Sequence, residues 1–164
     1  KGLEEARRLA EWLGLCARRF PRIDREAYHT AAALLAGGGV ALAHAARQLL
    51  VASGVPEEMT GKILGPLLRS VAENIAEYGT TMAMTGPIRR GDTQVVRCHA
   101  EALRKAGASI LPTWRGLSMV QVSIAETIGE ASKENLEAIA ELVQQTQTEP
   151  LTLPNRSRAN EVAS

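Results

Sequence analysis

Apolar positions recur three and four residues apart along most of the chain, and that period divides it into helices. Over residues 3–14, Leu3, Ala6, Leu9, Ala10 and Leu13 share one face, and Glu4, Glu5, Arg7, Arg8 and Glu11 form the wet one. Gly14 suits the C-terminal end of that helix. Residues 15–20 (LCARRF) lose the helical period and read as a short strand before Pro21. The dominant element is residues 24–53, rich in Ala and Leu, the strongest helix formers, with no proline and few β-branched residues. Asp24 can cap its start, and Gly54 and Pro56 can end it. One helix of about 28 residues is expected, roughly 40 Å long at 1.5 Å per residue.

The remaining pattern is also helical. Pro56-Glu57-Glu58 opens a helix, with acids near the positive end of its dipole. Gly65-Pro66 is expected to break or kink it. Residues 67–78 continue helically, and Gly79 caps them. Residues 80–92 are the longest non-helical stretch. Asp92 then caps a helix that runs through Ala106 and ends at Gly107. Residues 109–128 form another, with Pro112 near its start and Gly129 beyond its end. Ser132 caps a last helix to about Gln145. The polar tail from residue 146 carries two prolines and is expected to be poorly ordered or to lie along a neighbour. Six or seven helices and one strand result.

Composition narrows the classes. The 164 residues suffice for one domain with a core; 45% are hydrophobic and only 3% aromatic, which suits closely packed helices. The net charge of +1 gives no electrostatic case for nucleic acid or an anionic membrane. No stretch is apolar without interruption over the ~18 residues of a membrane span, and no signal-peptide pattern opens the chain. Cys16 and Cys98 are too few for a disulfide framework, so both are expected to be reduced thiols in a cytoplasmic protein. The opening Lys1-Gly2-Leu3, without Met, suggests a piece of a longer protein.

Several residues are candidates for chemistry. Gly37-Gly38-Gly39 lies inside the long helix, where each glycine costs about 1 kcal/mol against Ala. It lacks the G-x-G-x-x-G spacing of a dinucleotide loop and no strand precedes it. Ala32, Ala36, Gly39 and Ala43 form a small-residue stripe, which fits close helix approach or room for a ligand. His29, in the second turn, titrates near neutrality and can protonate or polarise a carbonyl. A structural hydrogen bond at a domain junction explains it as well. His44 and His99 read as structural or surface residues. Cys98 and His99 are adjacent and point differently on a helix, so no metal site is expected. In TGPIRRGD, residues 85–92, Gly86-Pro87 fixes a turn, Arg89 and Arg90 can hold phosphate or carboxylate, and Asp92 can cap a helix or hold an Arg. A capped interhelical turn with solvated arginines accounts for the same residues.

Three strings carry a family resemblance: Tyr28-His29-Thr30-Ala31-Ala32-Ala33, then Leu67-Leu68-Arg69-Ser70-Val71-Ala72-Glu73-Asn74, then Thr85-Gly86-Pro87-Ile88-Arg89-Arg90-Gly91-Asp92. In this order they resemble the C-terminal helical domain of a family of predicted oxidoreductases, over nearly all of residues 1–130. Its members join an N-terminal Rossmann-like NADP-binding domain to a domain of unknown function. They are similar to 6-phosphogluconate dehydrogenase C-terminal-like proteins, with ketopantoate reductase and deazaflavin-dependent NADP reductases as distant relatives.

The resemblance implies an all-α, multihelical domain around one long helix. Residues 1–23 would be the last helix and strand of a Rossmann-like domain. Residues 24–145 would be the dimerisation and substrate domain, and 146–164 a flexible tail. It implies an NAD(P)-dependent oxidoreductase acting on a small carbonyl or imine, as a cytoplasmic homodimer with no nucleic-acid or membrane partner. NADP would be held by the upstream domain, and this piece alone would bind no cofactor or metal and be inactive. The cleft would lie between the domains, with His29 as the catalytic candidate and Tyr28, Gly37, Thr85, Arg90 and Asp92 toward substrate. The family often has Ser-Asn in the long helix where this chain has Ala36-Gly37, so a substrate-holding Asn is missing. A non-enzymatic helical dimer or scaffold is the alternative.

Overall fold

Side-chain caps mark where three of the described helices start. A computed structural model describes residues 2–14, 17–18, 20–106 and 110–146. It contains six helices: α1 (Gly2–Trp12), α2 (Arg25–Ala52), α3 (Glu57–Met82), α4 (Thr93–Ala106), α5 (Leu111–Ile128) and α6 (Lys133–Gln145). Asp24 Oδ1 accepts from the amides of Glu26 (2.9 Å) and Ala27 (3.0 Å) at the head of α2. Asp92 Oδ1 does the same for Val95 on α4, and Ser132 Oγ for Asn135 on α6. These caps satisfy amide donors that have no partner within the helix. Gly129, at φ 70°, closes α5 in the left-handed conformation.

The chain is all-helical among the described residues, as expected, with two differences. α3 spans Glu57–Met82, and Gly65-Pro66 does not interrupt it. Pro66 removes the amide that would bond the Lys62 carbonyl. That stretch is exposed, so water can take the carbonyl instead. The break falls at Gly79, with φ 76° and ψ 167°, a region essentially restricted to glycine. Second, Ala17, Arg18 and Phe20 form no strand. Residues 15, 16 and 19 of the expected strand, with Cys16 among them, lie outside the described residues, as do Gly107 and the tail beyond residue 146.

The chain divides into two compact units, Lys1–Val40 and Ala41–Ser164. No described residue of the first is buried. Its large side chains, Leu3, Leu9, Trp12, Leu13, Phe20 and Ile23, are all exposed. The second unit holds the core. Ile88, Val96, Val122, Ala125, Leu136, Ile139 and Val143 pack together where α5 and α4 both contact α6. Leu103, Ile110 and Leu111 form a second cluster with Ala45 and Leu49 of α2, and Trp114 touches both clusters. Arg47 Nη1 donates to Glu57 Oε1 at 2.6 Å, tying the end of α2 to the start of α3.

Among the described residues, large apolar faces remain exposed. On α3, Met59, Ile63, Leu67, Val71, Ile75 and Tyr78 follow one another at helical spacing and are exposed. No residue of α2 is buried. Among the described residues, α2 is the one helix long and apolar enough to cross a membrane by length and composition, with a mean hydropathy of 1.3 over its most apolar window. Core helices of soluble proteins share that profile.

Candidate functional site

The candidate residues fall into both units: Tyr28, His29 and Gly37 in the first, Thr85, Arg90 and Asp92 in the second. The second-unit group is the better defined. Pro87 and Ile88 accept from the amides of Asp92 (2.9 Å) and Gly91 (3.1 Å), which closes residues 87–92 into a tight turn. Ile88 drops into the core from this turn. Gly91 is buried at φ 68°, and an added Cβ would come within 3.0 Å of the Cβ atoms of Ala131 and Asn135. The start of α6 therefore presses directly on this glycine, for which backbone freedom and lack of a side chain are both required.

Two adjacent arginines have different fates. Arg89 Nε donates to Glu130 Oε2 at 2.6 Å, and its Nη1 donates to the carbonyls of Met84 (2.8 Å) and Met82 (3.2 Å). One guanidinium thus fastens the end of α3 and the turn to the α5–α6 connection. Arg90 is exposed and makes no hydrogen bond or ion pair among the described residues. Thr85 is exposed beside Gly86, which has φ 100°. Asp92 caps α4 with its side chain. The turn is built by Arg89, Ile88 and Gly91, and it presents Thr85 and Arg90 outward.

In the first unit, Tyr28 lines a cavity of about 370 Å³ with Leu3, Arg18, Phe20, Ile23 and Arg25. His29 is exposed on the next position of α2 and is not among the lining residues. Gly37, Gly38 and Gly39 are helical, and a Cβ on any of them would meet nothing within 4 Å. Among the described residues, no close approach is seen at these three glycines. Arg18, Phe20 and Arg25 were not candidates by sequence. The signal available was the density of arginine and aromatic positions between residues 18 and 28.

A second cavity, about 660 Å³, opens between the end of α2, α3 and α4. Leu49, Leu50, Ile63, Leu67 and Leu103 make it apolar, with Lys105 at its rim. It contains none of the candidate residues. Cys98 is a free, exposed thiol. Among the described residues, no three His, Cys, Asp or Glu side chains gather as a metal site would require. The Tyr78 phenol is held above its ordinary pKa, first by its hydrogen bond with Glu77 and then by partial desolvation.

A family model described as Domain of unknown function (DUF2520) matches residues 1–119 of the 164. No curated protein and no solved structure matches the chain.

Proposed function

The chain belongs to the DUF2520 family, and from that premise we propose that it is the helical dimerisation and substrate domain of a cytoplasmic NAD(P)-dependent oxidoreductase. Its fold is of the 6-phosphogluconate dehydrogenase C-terminal-like kind, and residues 1–23 are the last elements of a Rossmann-like domain. The observation that carries the reading is the uncovered first unit. Six large apolar side chains there, Leu3, Leu9, Trp12, Leu13, Phe20 and Ile23, are exposed. Leaving one such side chain in water forfeits about 1.5–3 kcal/mol of burial, so a covering surface would stabilise this unit. An upstream α/β layer supplies one.

The residues present do not fit a dinucleotide: the run Gly37–Gly39 is helical, and among the described residues no strand leads into it. NADP therefore belongs to the upstream domain, and no step is routed through it here. When bound there, the nicotinamide carries the hydride. This chain contributes positioning and proton handling. His29, in the second turn of α2, serves as proton donor or orienting group to a carbonyl or imine substrate. Tyr28 and Gly37 lie along the substrate's approach on α2. In the second unit, Arg90, presented by its fastened neighbour Arg89, is the candidate to hold an anionic group, with Thr85 beside it. Asp92 holds the turn.

His29→Ala in the full-length protein tests the catalytic assignment. Loss of turnover with unchanged thermal stability supports it, and unchanged turnover removes it. A second reading, a non-enzymatic helical dimer, is favoured by the exposed stripe from Met59 to Tyr78 on α3. The upstream sequence separates the two readings. A G-x-G-x-x-G after a strand supports the enzyme, and a natural chain starting near Lys1 supports the scaffold.

A further inference from the structure

We infer that a second copy of this chain docks on the α3 face of the second unit, each copy's apolar ridge lying in the other's groove. The inference rests on the dimer of the functional reading above and names the surface that makes it. The ridge is on α3, where Ile63, Leu67, Val71, Ile75 and Tyr78 are exposed, Leu67 at 60% and Tyr78 at 56%. The groove adjoins it, with a volume of about 660 Å³. Leu49 and Leu50 of α2 and Leu103 and Ala106 of α4 form its far walls. Ile63 and Leu67 belong to both ridge and groove.

The face has the area a dimer needs. From Met59 to Tyr78, α3 runs about 30 Å, and half the circumference of a helix 10–12 Å across is about 17 Å. The ridge alone offers roughly 500 Å², and the groove walls bring the face to about 600 Å². Stable pairs bury about 600 Å² or more on each copy, whereas the largest apolar patch of a monomer is about 300–600 Å². The face also does not repel itself. Glu58, Lys62, Arg69 and Glu73 follow one another along the opposite, exposed side of α3. Glu57 is paired with Arg47, and Glu77 hydrogen-bonds the Tyr78 phenol. Ridge and groove lie side by side, so a two-fold axis between them seats both ridges at once and closes the contact at two copies. A foreign helix would fill the groove and leave the ridge in water. Ile63 and Leu67, shared by both features, fall nearest the axis.

Sedimentation velocity of the full-length protein is the test. The unaltered protein is expected to be a dimer. Leu67→Glu and Val71→Lys each place an unpaired charge in the contact twice, and each is expected to weaken dimerisation at least about thirtyfold. Arg69→Glu, on the charged side of the same helix, is expected to change it less than about twofold. Leu67 and Val71 are exposed, and a cooperative thermal transition by circular dichroism shows that the variants fold. Cross-linking supplies a readout that needs no disruption. With the other cysteines replaced by serine, Leu67→Cys is expected to give a covalent dimer with a short bismaleimide, and Arg69→Cys none. A monomer at every concentration, a dimer indifferent to both charges, or equal cross-linking from positions 67 and 69 overturns the inference. NADP+ titration keeps the two readings apart. NADP+ binding by a dimer indifferent to both charges sinks this inference alone. A dimer broken by them that binds no NADP+ sinks the oxidoreductase reading alone.

Discussion

Arg89 and Glu130 are forty-one positions apart in sequence and 2.6 Å apart in space. The pair joins the turn after α3 to the connection between α5 and α6. Arg89 also holds two backbone carbonyls. With Arg89 only partly exposed, its loss removes charge-assisted hydrogen bonds worth more than a surface ion pair. Arg89→Ala is expected to destabilise the second unit by about 1–2 kcal/mol, and Arg90→Ala by less than about 0.5 kcal/mol. Chemical denaturation of the two variants measures the contrast.

Gly91 and Gly79 both hold conformations that other residues resist, for different reasons. At Gly91 a Cβ also collides with α6, 3.0 Å from Ala131 and Asn135. At Gly79 the space is open and only the backbone objects. Gly91→Ala is expected to cost about 2–4 kcal/mol, combining overpacking with left-handed strain. Gly79→Ala is expected to cost about 1–3 kcal/mol from strain alone. Gly129→Ala, at φ 70° in open space, is expected to cost about 1 kcal/mol. Denaturation midpoints of the three variants give the order directly.

The helix boundaries were legible because their determinants are local. Asp24, Asp92, Ser132 and Gly129 each act on amides or carbonyls within four residues, and all four stand at helix ends as expected. No break falls at Gly65-Pro66, where exposure lets water replace the missing donor. Nothing local distinguishes Arg89 from Arg90. Which of the two turns inward is decided by Glu130, on a different connection. The same holds for Gly91, whose neighbours Ala131 and Asn135 arrive only when α6 packs. In the candidate site, Tyr28 was readable from its string, whereas Arg18 and Arg25 become its companions only through the turn between α1 and α2.

Among the described residues, a side chain added anywhere in the glycine run of α2 would meet nothing within 4 Å. Its helix-propensity cost of about 1 kcal/mol per glycine is therefore not offset by any described contact. The dimer reading expects a close approach on the stripe of Ala32, Ala36, Gly39 and Ala43. Gly39→Leu is expected to shift the full-length protein from dimer to monomer in sedimentation velocity while thermal denaturation stays cooperative. An unchanged dimer places the contact elsewhere.

Tyr78 gives a pH-dependent signature. Glu77 accepts from the neutral phenol and so raises its pKa. The stabilisation is present below the ordinary tyrosine pKa and is lost as pH rises through the raised one. The chain has two tyrosines, so Tyr28→Phe isolates Tyr78 in a tyrosinate absorbance titration. Adding Glu77→Gln is expected to move that titration to lower pH.

The central claim is that these helices serve a dinucleotide enzyme whose cofactor is held upstream. Calorimetric titration of NADP+ into the full-length protein, beside residues 1–164 alone, tests it most directly. Saturable binding by the full-length protein and none by residues 1–164 is the expected result. No binding by the full-length protein contradicts the account.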